Sequence, residues 1–197
     1  MQGKWLVGID EVGRGPLAGP VGVGVVKLTH EFDWSLLEGV GDSKMVKPQV
    51  REALYEKAEE LRAEGLLDYR VELVAASYID RYGIVPALKH GMKKALNGLE
   101  LVPEDCFIKL DGALVAPKEY CQMTIIKGDV TEPVIGFASI LAKVVRDRHM
   151  QRLHAKYPEY GFFDHKGYGT PAHRAAIAVK GLSPVHRASY CQNILAE

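Results

Sequence analysis

Two adjacent carboxylates, Asp10 and Glu11, follow an apolar run at Trp5–Ile9 and stand directly before the glycine-rich turn Gly13–Pro16. Burying paired acids at the end of an apolar strand destabilises a fold unless something binds them. Paired carboxylates hold divalent cations, and backbone N–H groups of glycine-rich turns bind phosphate. These residues therefore indicate chemistry on a phosphodiester.

Two further acids, Asp111 and Asp129, each lie beside a glycine near the end of a predicted strand. Open α/β sheets bind ligands at the carboxyl ends of their strands, so neighbouring strands would bring all four acids together. Like charges this close repel one another unless a cation lies between them. Taken alone, an Asp next to a Gly at such a position is more often a simple turn.

The type of ligand favours a particular kind of metal ion. Carboxylates without cysteine or paired histidine favour Mg²⁺ or Mn²⁺ over zinc. Two such ions roughly 4 Å apart would activate a water on one side of a phosphodiester and stabilise the leaving oxygen on the other. The acids would then be metal ligands and not a covalent nucleophile.

The glycine-rich turn has a second possible reading, as a dinucleotide-binding fingerprint. Such a fingerprint opens a helix, whereas the Val-rich segment Val21–Leu28 follows here and is typical of a strand. Pro16 and Pro20 restrict the backbone further. The turn therefore favours the close approach of a ligand to the backbone.

These acids require a sheet to position them, and hydrophobic periodicity predicts one. An early hairpin followed by alternating strands and helices predicts an α/β sheet covered on both sides. The longest helix is predicted to bury one apolar face. The predicted strands are Lys4–Ile9, Val21–Leu28, Tyr69–Val74, Cys106–Leu110 and Gln122–Ile126. The predicted helices are Gln49–Ala63, Ser77–Tyr82, Pro86–Leu96, a segment from Pro133 to about Tyr157, and Pro171–Val179.

Composition favours one domain over residues 1–197, because 47% of the 197 residues are apolar and no linker-like stretch interrupts them. Lys and Arg balance Asp and Glu at 25 each, so net charge does not point to a nucleic acid, although basic residues cluster at 143–152 and 165–187. The odd number of cysteines and the N-terminal sequence predict a reducing, cytoplasmic setting, and no apolar run predicts a membrane span.

The segment Gly8–Pro20 resembles the signature of ribonuclease HII, the bacterial type 2 ribonuclease H. The similarity runs from about residue 5 to residue 191. Further blocks similar to that family occur in its order: Asp42-Ser43-Lys44, Leu110-Asp111-Gly112, Lys127-Gly128-Asp129, Ala138–Asp147, His165–Thr170 and Ser183–Arg187.

This resemblance implies a ribonuclease H-like α/β fold: a central mixed sheet of about five strands flanked by helices, with a helical C-terminal extension. Residues from about 160 to 197 would contact substrate. It also implies a metal-dependent endonuclease that cuts the RNA strand of RNA–DNA hybrids. Such an enzyme would also incise on the 5′ side of single ribonucleotides in duplex DNA, leaving 5′-phosphate and 3′-hydroxyl ends.

The resemblance also implies roles for individual residues. Asp10, Glu11, Asp111 and Asp129 match the metal-binding carboxylates of the family. The backbone of Gly13, Arg14 and Gly15 matches the turn that reads the 2′-hydroxyl, and Tyr168 matches the aromatic residue that stacks on the next sugar. The residues that resemble phosphate contacts are Ser43, Lys44, Ser139 and Lys143.

Elementary chemistry supports some of these roles. Only the 2′-hydroxyl distinguishes RNA from DNA at a given site, and glycine lets a backbone approach it closely. An aromatic platform such as Tyr168 is indifferent to base identity. Ser139 and Lys143 are four residues apart on one helix face, although Lys44 and Lys143 could equally be ordinary surface lysines.

Three features are open. Tyr82-Gly83-Ile84 departs from the family, which commonly has Asn before Ile, and this affects local helix capping. The chain has no counterpart of the N-terminal domain of ribonuclease HIII, which favours HII, and a monomer is expected. Gln192–Leu195 has a faint likeness to a sliding-clamp peptide but no terminal aromatic residues.

Two other functions compete with this interpretation. The same superfold serves resolvases and exonucleases, which would keep the metals and change the substrate. A non-catalytic nucleic-acid-binding module would use only the basic segments and the turn, but the four acids would then oppose an anionic ligand.

Overall fold

The computed structural model describes residues 3–40, 46–112 and 114–195. The strands in these ranges are β1 (Trp5–Val12), β2 (Val21–Thr29), β3 (Leu67–Val74), β4 (Cys106–Asp111) and β5 (Cys121–Ile125). The helices are α1 (Pro48–Ala63), α2 (Ala76–Tyr82), α3 (Ile84–Gly98), α4 (Gly128–Thr131), α5 (Pro133–Lys156), α6 (Phe162–His165), α7 (Pro171–Lys180) and α8 (Gln192–Leu195).

The strands form one mixed sheet in the order β3-β2-β1-β4-β5. β1, β2 and β3 pair antiparallel, as the predicted hairpin requires, while β1, β4 and β5 run parallel to one another. The prediction of a central mixed sheet flanked by helices is confirmed. β1 and β4 lie side by side, so their carboxyl ends meet at one edge of the sheet.

Two glycines let α5 lie directly on the sheet. A Cβ added at Gly8 in β1 would lie 2.2 Å from the carbonyl oxygen of Val134, and one added at Gly24 in β2 would lie 2.4 Å from that of Ala138. Atoms cannot approach so closely, so only glycine fits at these positions. The close approach brings the amino half of α5 to the sheet edge that carries the acids.

The prediction that α5 buries one face is wrong for its amino half. Every residue from Val134 to Ala142 is buried, including the polar Ser139. The sheet lies on one side of the helix and α1 packs on another, so the sequence there is apolar nearly all round. The opposite face of the sheet is covered by α3, through Leu88 and Met92.

The C-terminal extension packs on the turn that follows β1. Leu17 and Met150 share an apolar cluster with Phe162, Ile177 and Cys191, and an antiparallel bridge joins Ala18 to His186. The extension therefore fixes the far side of the turn. None of the described helices is long and apolar enough to cross a membrane.

The departure at Tyr82-Gly83-Ile84 lies between two helices. Gly83 has a φ of 87° and closes α2 by donating its N–H to the Ile79 carbonyl at 2.7 Å. α3 then begins without a side-chain cap. Glycine ends one helix here at the expense of capping the next.

Candidate active site

One cavity of about 260 Å³ opens at the edge of the sheet where β1 and β4 end. Its lining comes from β1, β4, α4, α5 and the C-terminal extension. The lining residues are Asp10, Glu11, Val12, Gly13, Asp111, Asp129, Ser139, Lys143 and Tyr168. The tertiary structure thus brings the four predicted carboxylates to one cavity, together with the glycine turn and the predicted aromatic residue.

Asp10 is the most deeply buried of these acids, with 5% of its surface exposed. The pKa of Asp10 is raised to about 8, mainly by burial and also by the charges of Glu11 and Asp111, while hydrogen bonds from Ser139 and from the N–H of Glu11 partly offset the rise. A carboxylate in this position is stabilised only by a nearby positive charge. Its environment is that of a cation ligand.

Glu11 lies beside Asp10, and only one of its two carboxylate oxygens has a partner. Its Oε1 pairs with the guanidinium of Arg14 at 2.9 Å, while its Oε2 is buried without a hydrogen-bond partner. Arg14 is exposed, and ion pairs to exposed side chains are weak. The second oxygen therefore has no partner among the described residues and could serve as a ligand for a cation.

Asp111 and Asp129 are held together on the other side of the cavity. The backbone N–H of Asp129 donates to Asp111 Oδ1 at 3.3 Å. Asp129 is 9% exposed and lies in the first turn of α4, which begins after Lys127 adopts a left-handed conformation with a φ of 57°. The expectation that Asp129 ends a strand is wrong, because β5 stops at Ile125 and a short helix carries the acid.

The expectation that Asp10 and Glu11 follow the end of their strand is also wrong. β1 continues to Val12, so Asp10 and Glu11 lie within the strand and pair with Gly24 and Val23 of β2. Only the parallel pairing to β4 stops at Ile9. Asp10 and Glu11 therefore lie where pairing with β4 has ended and pairing with β2 continues.

The donor set fits a hard divalent cation, since it consists of carboxylate oxygens with one orphaned atom and one strongly desolvated acid. As the side chains stand, no three His, Cys, Asp or Glu residues of the described chain are grouped closely enough to hold an ion. Glu11 would have to turn from Arg14 towards the cavity to join such a group.

The predicted phosphate contacts divide into two pairs. Ser139 and Lys143 both line the cavity; Ser139 bonds to Asp10, and Lys143 pairs with Asp147 at 2.8 Å. Burial lowers the pKa of Lys143. Lys143 is thus a half-buried cation at the cavity and not an ordinary surface lysine. Ser43 and Lys44 lie outside the described residues.

The fold requires glycine at one position of the turn and not at the other. Gly13 is buried with a φ of 85°, and a Cβ there would lie 2.2 Å from Nε of Arg146. Gly15 is exposed, does not have a positive φ, and a Cβ there would meet nothing within 4 Å. Glycine at position 13 is required by the fold, whereas glycine at position 15 has no reason within the described chain.

Tyr168 stands at the rim of the cavity with 41% of its surface exposed. Its backbone carbonyl accepts a hydrogen bond from His173, whose ring stacks on that of His165 and approaches His186 to 3.0 Å. In this histidine cluster His173 and His186 are buried and His165 is half-buried, and their ring nitrogens are used in hydrogen bonds within the fold. The cluster anchors the segment that carries Tyr168.

The sequence favours a structural ion pair or a loop anchor for Arg146-Asp147 and does not single out Arg187 as part of this site. Arg146 does anchor the turn, by donating to the Pro20 carbonyl, whereas Asp147 pairs with Lys143. Arg146 and Arg187 are fully buried behind the glycine turn, although they fall in the two basic clusters that composition alone associates with solvated surfaces. Their signal was the lack of acids around Arg187 together with its match to a family block. Neither feature shows burial.

The five-stranded mixed sheet flanked by helices is a ribonuclease H-like fold. The ribonuclease H2 of Pyrococcus horikoshii OT3 matches with a TM-score of 0.75 and 29% identity over 96% of both chains. The ribonuclease HII in a complex with PCNA from Archaeoglobus fulgidus matches with a TM-score of 0.72 and 28% identity, over 92% of this chain and 93% of that one.

Sequence comparison defines the family more closely. The model of the Ribonuclease HII family matches residues 7–193. A ribonuclease HII of Ruminiclostridium cellulolyticum is 42% identical over 192 residues, which are 98% of this chain and 72% of the relative. The chain belongs to the ribonuclease HII family. Members of this family are endoribonucleases, so the protein is a phosphodiester hydrolase.

Proposed function

We propose that this protein is a divalent-metal-dependent endonuclease that cuts the RNA strand of RNA–DNA hybrids and incises on the 5′ side of single ribonucleotides in duplex DNA. The observation that carries the proposal is the composition of one cavity. Four carboxylates share it with a glycine turn and an exposed tyrosine. The acids suit phosphodiester hydrolysis, and the other two features suit recognition of a sugar.

Asp10, Glu11, Asp111 and Asp129 would hold the cations, for which Mg²⁺ and Mn²⁺ are the candidates. When bound, such ions activate water and stabilise the leaving 3′-oxygen of the cut strand. Ser139 keeps the carboxylate of Asp10 oriented, and β1 and β4 hold Asp10 and Asp111 on adjacent strands. A rigid sheet edge positions the ligands better than loops would.

Recognition of the ribose is assigned to the turn and to Tyr168. Since Gly15 is exposed with open space where a side chain would lie, a sugar can approach the backbone there. Tyr168 offers an aromatic face at the cavity rim. Neither element reads a base, so one ribonucleotide in any sequence would suffice.

The strand backbone is expected to lie along the cationic side of the cavity. Lys143 is the described cation at the cavity lining, and Ser139 precedes it by one helical turn. Phosphate binding there would compete with the Lys143–Asp147 pair. Ser43 and Lys44 remain predicted phosphate contacts on the basis of the family motif.

A nicking assay tests the function. Labelled DNA duplexes carrying one ribonucleotide, an RNA–DNA hybrid and an all-DNA duplex are incubated with the protein, with Mg²⁺, with Mn²⁺ and with chelator. We expect incision 5′ to the ribonucleotide with a 3′-hydroxyl end, cleavage of the hybrid, and no cleavage of DNA or in chelator.

Other outcomes would identify the alternatives. Cleavage of the all-DNA duplex would favour a resolvase-like or exonuclease-like substrate. Chelator-independent binding without cleavage under any metal would favour a binding module and would refute the proposal.

A sliding-clamp partner is not part of the proposal. The relative from Archaeoglobus fulgidus is recorded with PCNA, but Ile194 of the present chain is only 9% exposed and packs in the C-terminal apolar cluster. The segment Gln192–Leu195 would have to leave that cluster to reach a partner. A clamp-binding role for it stays a prediction, as does a monomeric single-domain enzyme.

A further inference from the structure

Two arginines, Arg146 and Arg187, are completely buried behind the turn that follows β1. Neither forms an ion pair with an acidic residue of the described ranges. Burying a guanidinium without a counter-charge is unfavourable unless its N–H groups are well satisfied. The hydrogen bonds of these two side chains therefore indicate what their burial accomplishes.

Arg187 donates to three backbone carbonyls of a single turn. Its Nη2 reaches the Gly13 carbonyl at 2.7 Å, its Nη1 reaches that of Arg14 at 2.8 Å, and its Nε reaches that of Gly19 at 3.0 Å. The planar fork of one guanidinium thus joins the beginning of the turn to its end. A lysine offers its donors from a single nitrogen and cannot span the same three acceptors.

Arg146 supports the same turn from α5. Its Nε donates to the Pro20 carbonyl at 2.9 Å, its guanidinium lies 5.8 Å from the ring centre of Tyr168, and its Nη1 is buried without a partner. It fills the space that a side chain at Gly13 would need. The two arginines therefore form a cationic floor beneath the turn and Tyr168.

The direction of the carbonyls fixes the direction of the amides. In a trans peptide the C=O of one residue and the N–H of the next point in opposite directions. Since the Gly13 and Arg14 carbonyls point inward to Arg187, the N–H groups of Arg14 and Gly15 point outward. Neither N–H donates to an acceptor among the described residues, and both residues are exposed.

We propose that Arg187 is a positioning residue that holds the N–H groups of Arg14 and Gly15 ready to donate to a sugar or phosphate oxygen of the substrate. Arg146 supports it by holding the end of the turn. This inference rests on the proposed function, and it adds to that function how the recognition turn is kept in one conformation. Preorganised donors need no rearrangement when the substrate arrives.

The positive charge of the cationic floor also favours binding of a substrate oxygen by these N–H groups. Burial and the neighbouring Arg146 lower the pKa of Arg187 to about 10, so the group remains charged at neutral pH. A positive charge behind outward N–H groups strengthens their attraction for an oxygen with high electron density.

The backbone of Arg187 is itself held on both sides. Its N–H donates to the Leu17 carbonyl at 2.8 Å. On the other side, Asp80 of α2 accepts the N–H groups of Ala188 at 2.9 Å and Ser189 at 3.0 Å. Asp80 lies outside the cavity lining, so it offers a way to loosen Arg187 without touching the site.

The test measures motion in the free protein and cleavage by the same variants. Arg187→Met removes the fork and the charge, and Arg187→Lys keeps the charge alone. Asp80→Ala loosens the segment from outside. Arg148→Met is the matched control, because Arg148 is a half-exposed arginine paired with Glu52 away from the turn.

We expect the ¹⁵N order parameters of the Arg14 and Gly15 amides to be about 0.85 in the wild type and below about 0.6 in both Arg187 variants. We expect kcat/KM on a duplex with one ribonucleotide to fall about 100-fold in both, since small misplacements of substrate have effects of this size. Asp80→Ala should shift both quantities in the same direction by a smaller amount, and Arg148→Met should change neither.

Unchanged order parameters at Arg14 and Gly15 in a folded Arg187 variant would overturn the inference, and so would full activity of Arg187→Lys. Should the Arg187 variants not fold, Asp80→Ala decides, and wild-type order parameters and activity in that variant would overturn it. The order parameters are measured without substrate. They therefore judge this inference even if the wild type cuts none of the offered duplexes, which would refute the proposed function alone.

Discussion

Adding one methyl group at Gly15 or at Gly13 should separate recognition from folding. The two glycines are two residues apart in one turn, but only Gly13 has a positive φ and a neighbour where its Cβ would lie. Gly15→Ala puts a methyl group into open space on the exposed side. Gly13→Ala forces a left-handed alanine against Arg146.

The structure sets the expected magnitudes. Gly15→Ala restricts the unfolded chain without straining the folded one, so stability should be unchanged or rise by up to about 1 kcal/mol. Gly13→Ala combines about 1–2 kcal/mol of left-handed strain with about 1–3 kcal/mol of overpacking, a loss of about 2–5 kcal/mol. For a chain of this size the melting temperature would drop by about 4 to 20 °C.

Gly15→Ala should lower activity without lowering stability. The methyl group of Gly15→Ala lies where the proposed ribose contact forms, and a displacement of the sugar by about 1 Å would lower kcat/KM about 100-fold. The assay pairs calorimetric unfolding with incision of a duplex that carries one ribonucleotide. Gly65→Ala is the control for backbone strain, because Gly65 has a φ of 73° and open space around it.

Two results would contradict this prediction. If Gly15→Ala cuts as fast as the wild type, the open space beside Gly15 is not a substrate position. If Gly15→Ala unfolds at a clearly lower temperature, glycine there serves the fold after all, and the contrast with Gly13 disappears.

Three further predictions concern the acids, the histidine cluster and the sheet. Asp10→Asn should abolish hydrolysis in Mg²⁺ and Mn²⁺ while leaving the melting temperature unchanged or higher, since burial already disfavours the charged carboxylate; an active variant in the nicking assay would remove Asp10 from the site. Burial lowers the pKa of His173 to about 4. As the pH falls below 6.5, this histidine is therefore protonated in the unfolded chain before it is protonated in the folded one. Stability should be complete above pH 6.5 and decline as the pH falls towards 4, and melting curves of His173→Gln should show a flatter decline if this group is responsible. Gly24→Ala should destabilise the fold by about 1–3 kcal/mol in urea titrations, because its methyl group would meet the Ala138 carbonyl of α5; wild-type stability would mean that α5 can move away from the sheet.

Much of the fold followed from local patterns. The predicted strands and helices agree with the structure to within a few residues, because apolar periodicity and proline and glycine boundaries act over short stretches of chain. The errors have tertiary causes. β1 runs through Asp10 and Glu11 because β2 still pairs with it there, and α5 is buried nearly all round because glycines in two strands admit its backbone.

The sequence by itself determined which residue types carry the chemistry, since adjacent acids, a glycine turn and an isolated tyrosine are visible as letters and match a family in order. Only the tertiary structure decided that the acids share one cavity, that Ser139 bonds to Asp10, and that Arg187 lies beneath the turn. Local spacing governs strands, helices and turns, whereas these contacts join segments more than a hundred residues apart in the chain. Their formation depends on which elements pack together, and no short stretch of sequence contains that information.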